Sequence, residues 1–215
     1  MVTDTPTSLA VRRRSQEGRA GRRVLVVICH PVPASLVQAA AQRAISALET
    51  NGHDVRVIDL YADDFDARLS RDEWRDIANA ESWPQIGTHI DLLRWADSLV
   101  FVYPTWFGGQ PAMLKGWFDR VWVPGVAFRT PVGGGHIRGL LTNIGSIDVI
   151  TTHGSGKFMN SIQGEPGKRV ILRGLRSMCG WRCRTSWTAF YGNDQATETD
   201  RFAFLDRVSS VLAKR

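Results

Sequence analysis

Three short apolar runs constrain the fold of this chain more than any other feature. Residues 24–29 read V-L-V-V-I-C, residues 98–103 S-L-V-F-V-Y and residues 147–152 I-D-V-I-T-T. Each has the length of a strand. The first two lack the polar alternation of a strand with one wet face, so both of their faces must be covered. Helical patterns separate the runs. Residues 35–50 carry Leu36, Ala40, Ala44 and Ala47–Leu48 on one stripe, with Ser35 as N-cap and Asn51-Gly52 as the stop. Asp54–Ile58 reads as a further strand. Residues 59–82 form a polar connection with a short helix near 71–80, and Pro84–Trp95 is a helix facing in with Ile86, Ile90, Leu92 and Leu93. Pro111 opens a helix to Val121. Residues 124–145 are a glycine-rich irregular loop and 154–167 another loop. Residues 169–178 read as a helix and 181–189 as a fifth strand. Residues 198–213 read as a last helix, with Phe202, Leu205, Val208 and Leu212 on one face. Strands alternate with helices, which argues a parallel five-stranded α/β sheet with right-handed crossovers. The order 2-1-3-4-5 suits it, and ligands of such sheets bind outside the carboxyl ends of the strands at the switch point. The loops after the first, third and fourth strands are then the places to look.

The bulk numbers narrow the class. A chain of 215 residues with 43% apolar and 22% charged residues suits one globular domain, here residues 24–215. The net charge of +6 is mostly a property of residues 1–23, where Arg12, Arg13, Arg14, Arg19, Arg22 and Arg23 face only Asp4 and Glu17. That segment reads as a disordered or loosely docked basic arm. No nucleic-acid partner is expected from it. No apolar run reaches the ~20 residues of a spanning helix, and no leader pattern is seen, so a cytoplasmic location without a membrane span is expected. Cys29, Cys179 and Cys183 are too few for a disulfide framework. Cys29 reads as core, and no metal site is expected. The acidic cluster Asp63, Asp64 and Asp66 fits no calcium loop.

The eighteen residues Pro104–Val121, P-T-W-F-G-G-Q-P-A-M-L-K-G-W-F-D-R-V, are the most specific stretch. An apolar strand runs into an aromatic, glycine-bearing loop and then into a helix. Aromatic side chains supply stacking area and glycines let a backbone approach a ring edge, so the loop suits a flat conjugated ligand. The stretch resembles the flavodoxin-like NAD(P)H:quinone oxidoreductases, a family that includes the modulators of drug activity and the ancillary subunits of potassium-efflux systems. The resemblance runs from about Val24 to about Tyr191. It implies a flavodoxin-like three-layer sandwich and a flavin cofactor, FMN or alternatively FAD. NAD(P)H is implied as cosubstrate and a quinone-like small molecule as acceptor. A homodimer with the flavin at the subunit interface is also implied, and the eight tryptophans would suit such an interface.

The resemblance distributes flavin-binding residues over three loops. His30, Ser35, Leu36 and Val37 follow the first strand, where a helix start offers free N–H groups to a phosphate. Val37 stands where many relatives have Asn. Pro104, Thr105, Trp106 and Phe107 would lie along the flavin ring. Thr151, Thr152, His153 and Gly154 correspond to a T-T-G-G pattern from which His153 departs. Its side chain would narrow the site, bond the flavin or point to solvent. The Tyr and His that animal quinone reductases carry just beyond this loop are missing from Phe158-Met159-Asn160 and Gly164-Glu165-Pro166, so no catalytic acid or base is assigned. The implied activity is hydride transfer from NAD(P)H through flavin N5 to the acceptor. The alternatives are a flavin-binding regulatory subunit of a potassium-efflux transporter and a flavodoxin-type electron carrier.

Overall fold

A computed structural model describes residues 21–131, Gly133 and residues 135–215; the greater part of the basic arm expected at 1–23 lies outside them. The strands are β1 (Arg23–Ile28), β2 (Asp54–Asp59), β3 (Ser98–Thr105), β4 (Phe128–Arg129), β5 (Arg138–Gly139), β6 (Ser146–His153) and β7 (Arg184–Tyr191). The helices are α1 (Leu36–Thr50), α2 (Arg71–Arg75), α3 (Pro84–Trp95), α4 (Ala112–Val121), α5 (Lys157–Ile162), α6 (Pro166–Arg169) and α7 (Glu198–Leu212). The main sheet is parallel, in the order β2-β1-β3-β6-β7, while β4 and β5 form a separate two-stranded ribbon. Leaving the ribbon aside, this is the expected order 2-1-3-4-5 of a flavodoxin-like sandwich.

The apolar runs are buried as their composition demands. β6 has no exposed residue and β3 only a half-buried Thr105 at its end. Alternate side chains feed two cores. Leu25, Val27, Leu99, Phe101, Ile147 and Val149 pack under α3 and α4, whereas Val24, Val26, Ile28, Val100, Val102 and Ile150 pack under α1 and α7. On α1 the buried stripe is Val37, Ala40, Ala41, Ala44 and Leu48. The small alanines let it lie close to the sheet and to α7. Ser35 caps α1 as expected, its Oγ accepting from the Gln38 N–H at 3.2 Å.

Several elements differ from the sequence reading. On α7 the buried residues are Phe204, Leu205, Val208 and Leu212, and Phe202 is exposed. At 100° per residue Phe202 stands about 200° around the helix from Phe204, so it cannot share that face. The fifth strand begins at Arg184 rather than at Trp181, because the Cys183 N–H closes a turn onto Gly180 O at 2.8 Å and leaves Trp181 exposed. The helix expected at 169–178 starts earlier, at Pro166, and passes through a π-helical turn at Val170–Gly174 and a 3₁₀ turn at Leu175–Met178. The loop expected at 154–167 contains α5, and the irregular stretch 124–145 contains β4 and β5.

α4 is anchored by buried aromatic and polar contacts. Trp117, fully buried, donates its Nε1–H to His89 Nδ1 at 3.1 Å, and Phe101, Phe118 and Trp122 meet it or one another edge-on. Arg120 is 7% exposed; its guanidinium donates to Asp66 O and to the Glu73 carboxylate, and Glu73 also closes the Ser70 capping box of α2. Gly116 is required by close approach, since a Cβ there would lie 2.2 Å from Ala67 O. Gly116→Ala is expected to lower the unfolding free energy by about 1–3 kcal/mol, the usual range for overpacking, measured by urea denaturation. Burial, with Arg120 nearby, lowers the His89 pKa to about 4, so the folded state holds a neutral imidazole. The stability from that neutral ring is complete above the unfolded value of ~6.5 and is lost as pH falls toward 4. The stability difference between wild type and His89→Gln should therefore shrink by about 3 kcal/mol between pH 7 and pH 4.

Candidate functional site

The carboxyl ends of β1, β3 and β6 lie side by side, and the three loops singled out in the sequence leave the sheet there. In the first, the Val32 N–H donates to His30 Nδ1 at 3.0 Å. Val32 O also lies 3.1 Å from the same nitrogen, so the ring is tied to the Val32 backbone. The Ser35 side chain and carbonyl take the Gln38 and Ala39 N–H groups. Those of Leu36 and Val37 find no acceptor among the described residues, and α1 has no acidic residue in its first turn. A helix start with free N–H groups and no acidic side chain beside them is suited to an anion. The Val37 side chain is 3% exposed and belongs to the core, so only its backbone faces the loop. Leu36 is half-buried.

The second loop is shorter than the sequence suggested. Pro104 and Thr105 continue β3 and pair with Thr152 and His153. The turn proper is Trp106–Gly109, closed by Trp106 N–H to Gly109 O at 3.1 Å and Gly109 N–H to Trp106 O at 2.9 Å. Its two central residues have positive φ, Phe107 at +49° and Gly108 at +76°, which is the signature of a type I′ turn. Asn-Gly is the usual pair in such turns; a bulky Phe at positive φ is strained by about 1–2 kcal/mol. Its side chain is also fully exposed, and Trp106 is 44% exposed. Strain held at an exposed aromatic marks a functional position better than either feature alone.

The third loop leaves β6 at His153. Thr151, Thr152 and His153 are all buried strand residues, and only Gly154 and its successors are exposed. A Cβ at Gly154 would lie 2.5 Å from Asp194 Oδ2, the tip of an exposed side chain. The second and third loops are joined. The Gly167 N–H donates to Gly108 O at 2.9 Å, and Gln110 Nε2 donates to Gly167 O at 2.7 Å.

The His153 side chain turns inward rather than to solvent. Its Nδ1 is 2.7 Å from Asn160 Oδ1 and its Nε2 is 3.3 Å from Thr105 Oγ1. Thr105 Oγ1 in turn is 2.8 Å from Thr151 Oγ1. The ring stacks on Tyr191 with centroids 4.5 Å apart, and the Tyr191 hydroxyl donates to Glu165 Oε1 at 2.5 Å. Lys168 holds the other Glu165 oxygen at 3.1 Å. Burial, the largest influence, lowers the His153 pKa; the Asn160 hydrogen bond and the Glu165 carboxylate oppose it, and Lys168 adds to it. Asn160, Glu165, Lys168 and Tyr191 were not singled out in the sequence as a group. Strand register puts Thr105, His153 and Tyr191 in one row across β3, β6 and β7, but nothing local brings Glu165 beside them.

The chain matches the family model described as a flavodoxin-like fold over residues 22–210. NAD(P)H dehydrogenase [quinone] 1 of Rattus norvegicus is 35% identical over 185 residues, which cover 76% of this chain and 66% of that protein. The chain thus spans just under two thirds of that relative's length. An uncharacterised NAD(P)H oxidoreductase of Haemophilus influenzae is 32% identical over 166 residues, covering 73% of this chain and 77% of that one. The solved NAD(P)H:quinone oxidoreductase of Methanothermobacter marburgensis superposes with a TM-score of 0.74 at 24% identity, over 91% of this chain and 97% of that one, a likeness of fold. On sequence and fold alike, this chain belongs to the flavodoxin-like family that contains the NAD(P)H quinone oxidoreductases.

Proposed function

We propose that this protein is a flavin-dependent oxidoreductase that passes electrons from NAD(P)H to a quinone-like acceptor. The observation that carries the reading is the convergence, at one sheet edge, of an open helix N-terminus with a strained, exposed aromatic turn. The residues present fit a flavin mononucleotide. The N–H groups of Leu36 and Val37, with His30 and Ser35 beside them, offer a site for one phosphate. Trp106 and Phe107 offer stacking area, and the Trp106–Gly109 backbone and the Gly154 loop offer donors to a ring edge. A single helix start of this kind favours FMN over FAD. Bound flavin would supply hydride acceptance at N5, chemistry that belongs to the cofactor. The chain's own part is to hold it, to present aromatic faces and to exclude water from one side. Phe107 stands exposed on the second loop, and Phe158, Met159 and Ile162 on α5. A second copy of the chain covering them would complete the pocket, so the reading includes a homodimer, acting in the cytoplasm.

Protein reconstituted with FMN is expected to show a bound-flavin absorption spectrum that bleaches anaerobically with NADPH or NADH and returns on adding a quinone. Absence of bound flavin, with FAD also tried, would overturn the reading. Replacing the strained aromatic separates stability from function. Phe107→Asn relieves the positive-φ strain and should raise stability by about 1 kcal/mol, while flavin binding or quinone turnover falls. Thermal unfolding and flavin titration of the same variant check both halves.

A further inference from the structure

The most organised polar feature of the three loops is the buried row behind the second loop, from Thr151 through Thr105 and His153 to Asn160. Its hydrogen-bond directions can be worked out from one end. Asn160 Nδ2 donates to Ser155 O at 3.1 Å and to Gly156 O at 2.9 Å, which fixes the amide orientation and makes Oδ1 an acceptor. His153 Nδ1, at 2.7 Å from that oxygen, must then carry a proton. The neutral imidazole therefore has a bare Nε2, and Thr105 must donate its hydroxyl proton to it. With that proton used, the 2.8 Å contact between the two threonine hydroxyls requires Thr151 to donate to Thr105. Thr151 is 1% exposed, and among the described residues its hydroxyl has no other acceptor. In this state Thr105, half-buried at the rim of the site, has only a lone pair left to offer outward.

Protonating His153 reverses one link. Nε2–H then donates to Thr105 Oγ1. Thr151 keeps donating there too, because losing that acceptor would leave a buried hydroxyl unpaired. Both inward positions at Thr105 Oγ1 are now filled by donors, and the Thr105 proton turns outward. The groups that face His153 permit such a change. Tyr191 stacks on one side, and burial raises its pKa to about 12, so it stays protonated. Trp187 meets the ring edge-on at 6.3 Å. The Glu165 carboxylate favours the imidazolium and the Lys168 ammonium opposes it. Glu165 lies in the left-handed region at φ +45° and makes the Tyr191 and Lys168 contacts from there.

We propose that His153 is a positioning residue whose protonation sets the hydrogen-bonding sense of Thr105 at the rim of the site. With the neutral ring Thr105 presents an acceptor, and with the charged ring a donor suited to an acceptor oxygen on which negative charge develops. The inference rests on the oxidoreductase reading and deepens it: it names the group that couples solution pH to reduction of the acceptor. Relatives with glycine at this position would lack the device. Protonation makes one covalent bond, Nε2–H, with a proton taken from solvent; the only other change is that the Thr105 O–H···Nε2 hydrogen bond gives way to Nε2–H···Oγ1.

Two measurements on the protein as purified and as FMN-reconstituted enzyme test it. ¹⁵N NMR of the imidazole nitrogens of His153 should show the Nδ1–H form at pH 7.5 and a titration below the ordinary imidazole range. Quinone kcat/KM at saturating NAD(P)H should rise about tenfold as pH falls through that titration, the size expected of one hydrogen bond made to developing charge. His153→Gln and Thr105→Val should both lose that pH dependence, while Thr105→Ser, which keeps the hydroxyl, should retain it. An Nε2–H tautomer, or an unchanged pH profile in His153→Gln, would overturn the inference. Either result with flavin still bleached by NAD(P)H leaves the oxidoreductase reading standing. Protein that binds no flavin would sink that reading, while the tautomer measurement still reports on the row.

Discussion

Everything in this molecule follows from a sheet whose central strands have no face to show to water. β1, β3 and β6 present apolar side chains alternately to two cores, so helices must cover both sides. Parallel strands then need long crossovers, and the strand ends at one edge become the place where chain leaves the core and helix starts face outward. The candidate site lies at that edge because the covered faces leave no other place beside the central strands.

The conspicuous stretch Pro104–Val121 divides between two tasks. Trp106 and Phe107 are exposed on a strained turn, but Leu114, Gly116, Trp117, Phe118, Arg120 and Val121 are buried. The second half of the stretch is therefore an anchor. Gly116 lets the backbone at Ala67 approach, Trp117 bonds His89, and Arg120 bonds the segment around Asp66 and Glu73. Anchoring α4 this firmly fixes the point from which the turn projects, which is how a packing motif comes to look like a binding motif in sequence. The third loop is held by similar means. Gly167 bonds Gly108, and the His153–Tyr191–Glu165 stack ties β6 and β7 to the start of α6.

Where the sequence reading erred, the local pattern was consistent with two structures and a distant contact chose between them. Trp181 and Cys183 alternate like a strand, yet a turn at Gly180 delays β7 until Arg184. Phe202 fell on the helical spacing of Leu205, Val208 and Leu212, but the buried face centres between Phe204 and Leu205 and leaves Phe202 outside it. The side chain of Val37, at the loop where the resemblance expects a phosphate, packs in the core. His153 could not be oriented from sequence at all. Its direction depends on Asn160, seven residues on, and on Tyr191 across the sheet.

The sequence by itself determined the parallel sheet, its order, the covering helices and which three loops meet at the edge. Those features rest on hydrophobic periodicity and on a long local motif, both of which act over short stretches of chain. The tertiary structure alone decided that the aromatic turn is of type I′ with Phe107 at positive φ, that Gly116 must be bare, and that Thr151, Thr105, His153 and Asn160 fall in one hydrogen-bonded row. Those depend on close approach and on donor–acceptor pairing between residues far apart in sequence. Pairings of that kind leave no periodic trace in a single chain.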